Sequence, residues 1–214
     1  MHVQTESTAS ILINERTSPR FGVHIARITS DFLSPPILGL LMNLLIGVYI
    51  GKSTAYAWIG AHSFATVVIP TAYIVLLLQQ GDVGDIHLRR REERIRPLML
   101  TTGLHALSMA VMTAFKAPPS TQALAAITLV HMLLHLGITL VWKVSGHTSA
   151  ITMFSVLAAV LTAHGIWMLA AIPLVAWARI KLQRHTWAQV AGGMLLGAGN
   201  AWLLASLLLN QVGR

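Results

Sequence analysis

From Ser34 to Leu209 the chain consists of apolar runs broken by short polar turns. Several runs reach the roughly 20 residues that cross a bilayer core. A segment of that kind must satisfy its backbone internally, so it folds as a helix with lipid or protein around it. Composition agrees: 55% of the 214 residues are hydrophobic and 10% are charged, against about a quarter charged in soluble domains. The chain reads as an integral, multi-pass membrane protein. With no cysteine, disulfides and thiolate metal sites are excluded. The net charge of +8 resides in loops beside apolar spans, which favours anionic membrane lipids over nucleic acid as partners.

The predicted architecture is an all-α, polytopic transmembrane bundle of six to seven helices. Residues 1–33 form a polar to amphipathic tail, and 34–214 the membrane domain. The tail lacks a secretory leader pattern and reads as cytosolic; an interfacial helix is expected from Pro19 to Phe32. Spans are expected at about 34–50, 57–78, 97–115 and 122–142, with Pro97 opening the third. The apolar stretch from Ala150 to Ala178 is too long for one upright span and short for two. His164-Gly165 at its middle suggests two short helices. A last span runs from about Trp187 to Leu209.

Parity then places the loops after spans two, four and six on one side of the membrane, and these are the three basic loops. Twelve of the fifteen Lys and Arg residues fall on that side, and Lys52, Lys116 and Arg214 on the other. The positive-inside bias puts the loop side in the cytoplasm, as in the plasma membrane of a prokaryote.

Each basic loop carries a spaced motif. The first is Arg89-x6-Arg96-Pro97, the second Lys143-Val144-Ser145-Gly146-His147, and the third Arg179-x5-His185-x3-Gln189. In order and spacing they resemble the type 2 phosphatidic-acid phosphatase superfamily, whose pattern is Lys-x6-Arg-Pro, Pro-Ser-Gly-His and Ser-Arg-x5-His-x3-Asp. The resemblance covers roughly residues 85–197. It implies a site at one membrane surface and a lipid phosphate or diphosphate substrate, prenyl or glycerolipid. It also implies hydrolysis through a phospho-histidine, with no metal and no cofactor. Arg89, Arg96, Lys143 and Arg179 would hold the phosphate, arginine being suited to bidentate contacts. Ser145 and the Gly146 N–H would add donors. His185 would attack phosphorus, and His147 would protonate the leaving oxygen. Gln189 stands where the family has an orienting carboxylate. It can fix the imidazole tautomer but cannot offset an imidazolium by charge. Val144 replaces Pro, and Ala178 replaces Ser.

Two other readings stand beside this one. A non-catalytic lipid-phosphate binder would keep the anion site without turnover. A Mg-dependent lipid transferase would need two acidic clusters, whereas all seven acids lie at or before Glu93. Asp82 and Asp85 therefore read as balancing nearby arginines. Arg90, Arg91 and Arg94 read as face anchors. His131 and His135 share a helix face and read as helix-to-helix hydrogen bonders rather than ligands of a haem or metal. Gly193-x3-Gly197 reads as a close-packing face, within the bundle or in a homodimer.

Overall fold

A computed structural model of the protein describes residues 21–212. Every element in it is helical. Helix α1 (Phe21–Phe32) covers the described part of the predicted interfacial helix; residues 19–20 and the tail before them lie outside the described residues. It meets α2 (Pro35–Ile50) at 46°, because Ser34 is extended and prolines fill the first turn of α2, where a missing N–H costs nothing.

The next helix is continuous from Ser53 to Gln79 but changes pitch midway. Helix α3 (Ser53–Ser63) passes into α4 (Ile69–Gln79) through a π-helical turn at Phe64–Val68. Pro70 has no N–H to return to the preceding turn, and a widened turn absorbs that loss.

Helix α5 runs Arg91–Ala114 and corrects the expectation that Pro97 opens this span. The start is set six residues earlier by a capping box: the Glu93 carboxylate accepts the Arg90 N–H at 3.1 Å and its Nε at 2.8 Å. Helix α6 (Pro119–Val141) and α7 (Gly146–Leu161) follow. The expected break near His164-Gly165 is present. A 3-10 turn at Gly165–Ala170 leads into α8 (Ala171–Lys181), and α9 (Trp187–Val212) closes the bundle.

Among the described residues, four helices are long and apolar enough to cross a membrane, or five if α1 and α2 count as one bent span. Helix α7, with 16 residues, and α8, with 11, are shorter. Large apolar side chains face outward, among them Phe115, Leu195 and Trp202. Such a surface suits lipid.

Helices α7 and α9 are the most closely packed pair, and glycine makes this possible. A Cβ on Gly193 would fall 2.4 Å from the Ser145 carbonyl oxygen, and one on Gly197 2.3 Å from that of Ser149. The Gly193-x3-Gly197 face is thus used inside the bundle. At one end, Ile46, Ala55, Leu157 and Leu208 share an apolar cluster. The polar loops gather at the other.

Candidate functional site

The site is built on the N-terminus of α7. Ser145 is extended, and its Oγ accepts the Thr148 N–H at 3.4 Å. Its own N–H donates to the Gln189 carbonyl at 3.1 Å. Thr148 Oγ1 donates to the Val190 carbonyl at 3.1 Å. The second and third motifs are therefore fastened together through backbone groups, with Gly193 allowing the approach. The Ser145 hydroxyl is fully buried as a helix cap; the first amides of α7, starting at Gly146, are the donors this end has to offer.

Helix α8 delivers Arg179 and stops in a Schellman turn. The Arg184 N–H reaches the Arg179 carbonyl at 3.0 Å, and the Gln183 N–H that of Ile180 at 2.9 Å. Gln183 takes φ 52, a left-handed conformation where glycine is usual. The turn aims His185 back at α7. Its Nδ1 lies 3.2 Å from Gln189 Oε1. A ring that donates there keeps its lone pair at Nε2, which is buried without a partner among the described residues. Lys143 Nζ donates to the Arg184 carbonyl at 2.9 Å and so pins this loop.

The first motif is where expectation and structure part. Arg96 is 75% exposed and reaches only Asp82, at 3.8 Å; it is not brought to the cluster. Arg94, read from sequence as an anchor, is buried and lines the site. Its Nε donates to the Leu88 carbonyl at 2.8 Å and an NH1 proton to that of Val144 at 3.1 Å. Arg89 lies at the rim, with its Nε 2.9 Å from Asp85. Asp85 also accepts from Arg184 at 2.9 Å and from the His87 N–H at 2.8 Å. It ties the first loop to the third. Burial alone would raise its carboxyl, but the His87 amide, Arg184 and Arg89 outweigh it and bring it down to about 2.

These groups surround a cavity of about 1230 Å³. Gly146, His147, Arg94, Arg179, Arg184 and His185 form its polar end, while residues of α2, the π turn and α4 form an apolar flank. His147 Nε2 and Arg179 Nε are buried without partners among the described residues. The His87 ring stacks at a tilt on His147, 5.5 Å between centroids, and its Nε2 contacts Asp31 at 2.9 Å. Helix α1 crosses this end, and Ser30 Oγ accepts from Arg179. Burial, then the charges of Arg94, Arg179 and Lys143, push the His185 imidazole down to about 3. Burial and the neighbouring arginines also lower the Lys143 ammonium.

Concentrated cations, helix-terminal amides and a neutral imidazole with a free lone pair make a place for a tetrahedral oxyanion. No group of three or more His, Asp or Glu among the described residues is placed to hold a metal ion. The structure gathers His185, His147, Gln189, Gly146 and Arg179, with Arg89 at the rim and Lys143 behind the loop. Arg94, Arg184 and His87 are the additions. Helical spacing would have found Arg94: with a start at Arg91, Arg94, Thr101 and His105 share one face. Comparison with protein-family models, with curated proteins and with solved structures found no match.

Proposed function

We propose that the protein is a polytopic membrane phosphatase of the type 2 phosphatidic-acid phosphatase kind, releasing phosphate from a lipid phosphate or diphosphate. The observation that supports it best is the meeting of His185, His147 and Arg179 around one cavity that is cationic at one end and apolar along its flank. The headgroup would occupy the cationic end and the tail would stay among apolar side chains or lipid.

In this reading Arg94, Arg179 and Arg184, with the Gly146 amide, hold the phosphate oxygens. His185 Nε2 forms a bond to phosphorus as the bond to the lipid oxygen breaks. The leaving oxygen takes a proton from His147, which acquires it together with the negative charge of the arriving substrate. Water then displaces phosphate from His185. Three guanidinium groups supply the charge stabilisation, so the reaction is proposed to run without metal. The chain would cross the membrane six to seven times, with α7 and α8 as short spans, and the site would face the cytoplasm.

The test is phosphate release from a panel of lipid phosphates and diphosphates in detergent with a chelator present. Wild type should turn over at least one substrate, and His185→Ala should lose at least a thousandfold. One observation favours the binder as second reading: Gln189 supplies a dipole where the family motif has a charge. Saturable lipid-phosphate binding without release by wild type would establish it. Release that requires Mg²⁺ and is abolished by changing Asp82 or Asp85 would favour the transferase, although both carboxylates face arginines.

A further inference from the structure

A general acid gives up a proton in every turnover and must be recharged. His147 is only 6% exposed. His87 and Asp31 line the same cavity beside it, and they lead from it towards water.

A short turn presents His87. The Leu88 N–H donates to the Asp85 carbonyl at 2.8 Å, and the His87 N–H donates to the Asp85 carboxylate at 2.8 Å. Leu88 takes φ 49, a left-handed conformation unfavourable for a residue with a Cβ. It is held there from two directions. Its side chain clusters with Leu77 and Val83, and its carbonyl accepts from Arg94. Strained backbone persists where the surroundings over-determine it, and it gathers at working sites.

The ring so placed meets a carboxylate from α1. Ser30 is docked on Arg179, and the next residue, Asp31, lies with Oδ1 2.9 Å from His87 Nε2. A carboxylate only accepts, so this nitrogen carries a proton. Nδ1 is left to take up and release another, and the adjacent negative charge favours the imidazolium formed when it does. The His87 and His147 centroids are 5.5 Å apart, a gap that one water spans. Exposure falls along the row, from 52% for the Asp31 side chain to 20% for that of His87, before His147. His87 thus faces Asp31 from α1, Asp85 from its own turn and His147 from α7, with Arg179 of α8 beyond Ser30. The partner of the nucleophile, Gln189, is uncharged, whereas this carboxylate stands on the side of the acid.

We propose that Asp31 and His87 form a proton relay serving His147. The relay rests on the phosphatase reading above and deepens it. As the leaving oxygen takes the proton of His147, His147 draws one from His87 through the intervening water, and His87 is recharged from solvent beside Asp31. When water then displaces phosphate from His185, the proton it sheds passes to His147 and out along the same row. One proton enters and one leaves in each turnover.

The test compares two phosphate monoesters of equal tail length on the purified full chain in detergent. One is an alkyl phosphate, whose leaving oxygen needs a proton, and the other a nitrophenyl phosphate, whose leaving oxygen departs as a stable anion. The readout is kcat/KM, which covers the steps up to departure of the alcohol. His87→Gln and Asp31→Asn each keep a hydrogen-bonding group between α1 and the turn but break the relay. His87→Gln should lose roughly thirtyfold on the alkyl ester and much less on the nitrophenyl ester, and Asp31→Asn should show the same pattern at roughly fivefold. Free imidazole should restore part of the alkyl-ester rate to His87→Ala. Adding His87→Gln to His147→Gln should cost little more, since both act in one step. A role confined to fastening α1 would lower both esters equally and ignore imidazole. That result, or no loss in either variant, overturns the relay while the phosphatase reading stands. Should His87→Gln fail to fold, Asp31→Asn still decides. No release of phosphate by wild type from either ester would sink the phosphatase reading and, with it, the relay, which is a step of that reaction.

Discussion

Arg94 and Arg96 are two positions apart and have opposite surroundings. The first is buried with two backbone carbonyls as partners, and the second is three-quarters exposed beside Asp82. Arg94→Ala should lower phosphate release at least a hundredfold, and losing two charge-assisted bonds should cost about 3 kcal/mol of stability. Arg96→Ala should stay within twofold of wild type in the same assay. Gln189 yields a second prediction. If its role is to hold the His185 tautomer, Gln189→Asp should keep or raise the rate, and a complete loss would reject that role. The pH response follows from the same residues. His185 is held near 3, so activity measured from pH 8 to 5 should show no loss attributable to its protonation. Asp85 is held near 2 against an ordinary 3.8. Its contribution to stability is present above 3.8 and drains away as pH falls towards 2, so thermal melts should be insensitive to this group above pH 5. At this scale motif spacing pointed to His147, His185, Gln189 and Arg179, and the structure brings these four side chains together. Spacing also pointed to Arg96, which the structure leaves exposed beside Asp82, because motif register says nothing about where a helix begins, and a start at Arg91 turns Arg94 inward instead.

At the scale of elements, glycine and its absence set the geometry. Gly197 has no room for a side chain against the Ser149 carbonyl. Gly197→Val should separate α7 from α9, lower the melting temperature markedly and weaken activity by displacing His147 from His185. Gln183 is the converse case, a residue with a Cβ in a left-handed cap. Gln183→Gly should relieve about 1 kcal/mol of that penalty and raise the melting temperature while preserving the turn that presents His185. The break between α7 and α8 was readable, since no upright helix uses so long an apolar run and His-Gly interrupts it. The π turn was not. Pro70 is visible in the chain, but whether a proline kinks, stops or widens a helix depends on what packs beside it. Here that neighbour is the cavity wall.

Across the whole molecule, the convergence of three basic loops was legible from parity and charge, because each pair of apolar runs returns the chain to the same end. The ties that make it specific were not. Asp85 to Arg184 and Ser30 to Arg179 join residues 99 and 149 positions apart, and no local pattern announces them. The membrane side of the loop end can be measured directly, since the chain has no cysteine. A cysteine at position 91 should resist an impermeant external reagent in intact cells, and one at position 116 should react. The reverse pattern would place the site outside.

The α7–α9 seam has a mechanical consequence. Two helices in backbone contact along Gly193 and Gly197 behave as one stiff wall, and the groups proposed to react, His147 and His185, are mounted on it. Should a lipid need the cavity to widen, the wall opposite is the one expected to yield, where Gly39 lies against Val67 of the π turn and no backbone seam of this kind holds it. In the phosphatase reading proposed above, a lipid would pass sideways through that wall, so the groups proposed to react with it need not move when it arrives or leaves.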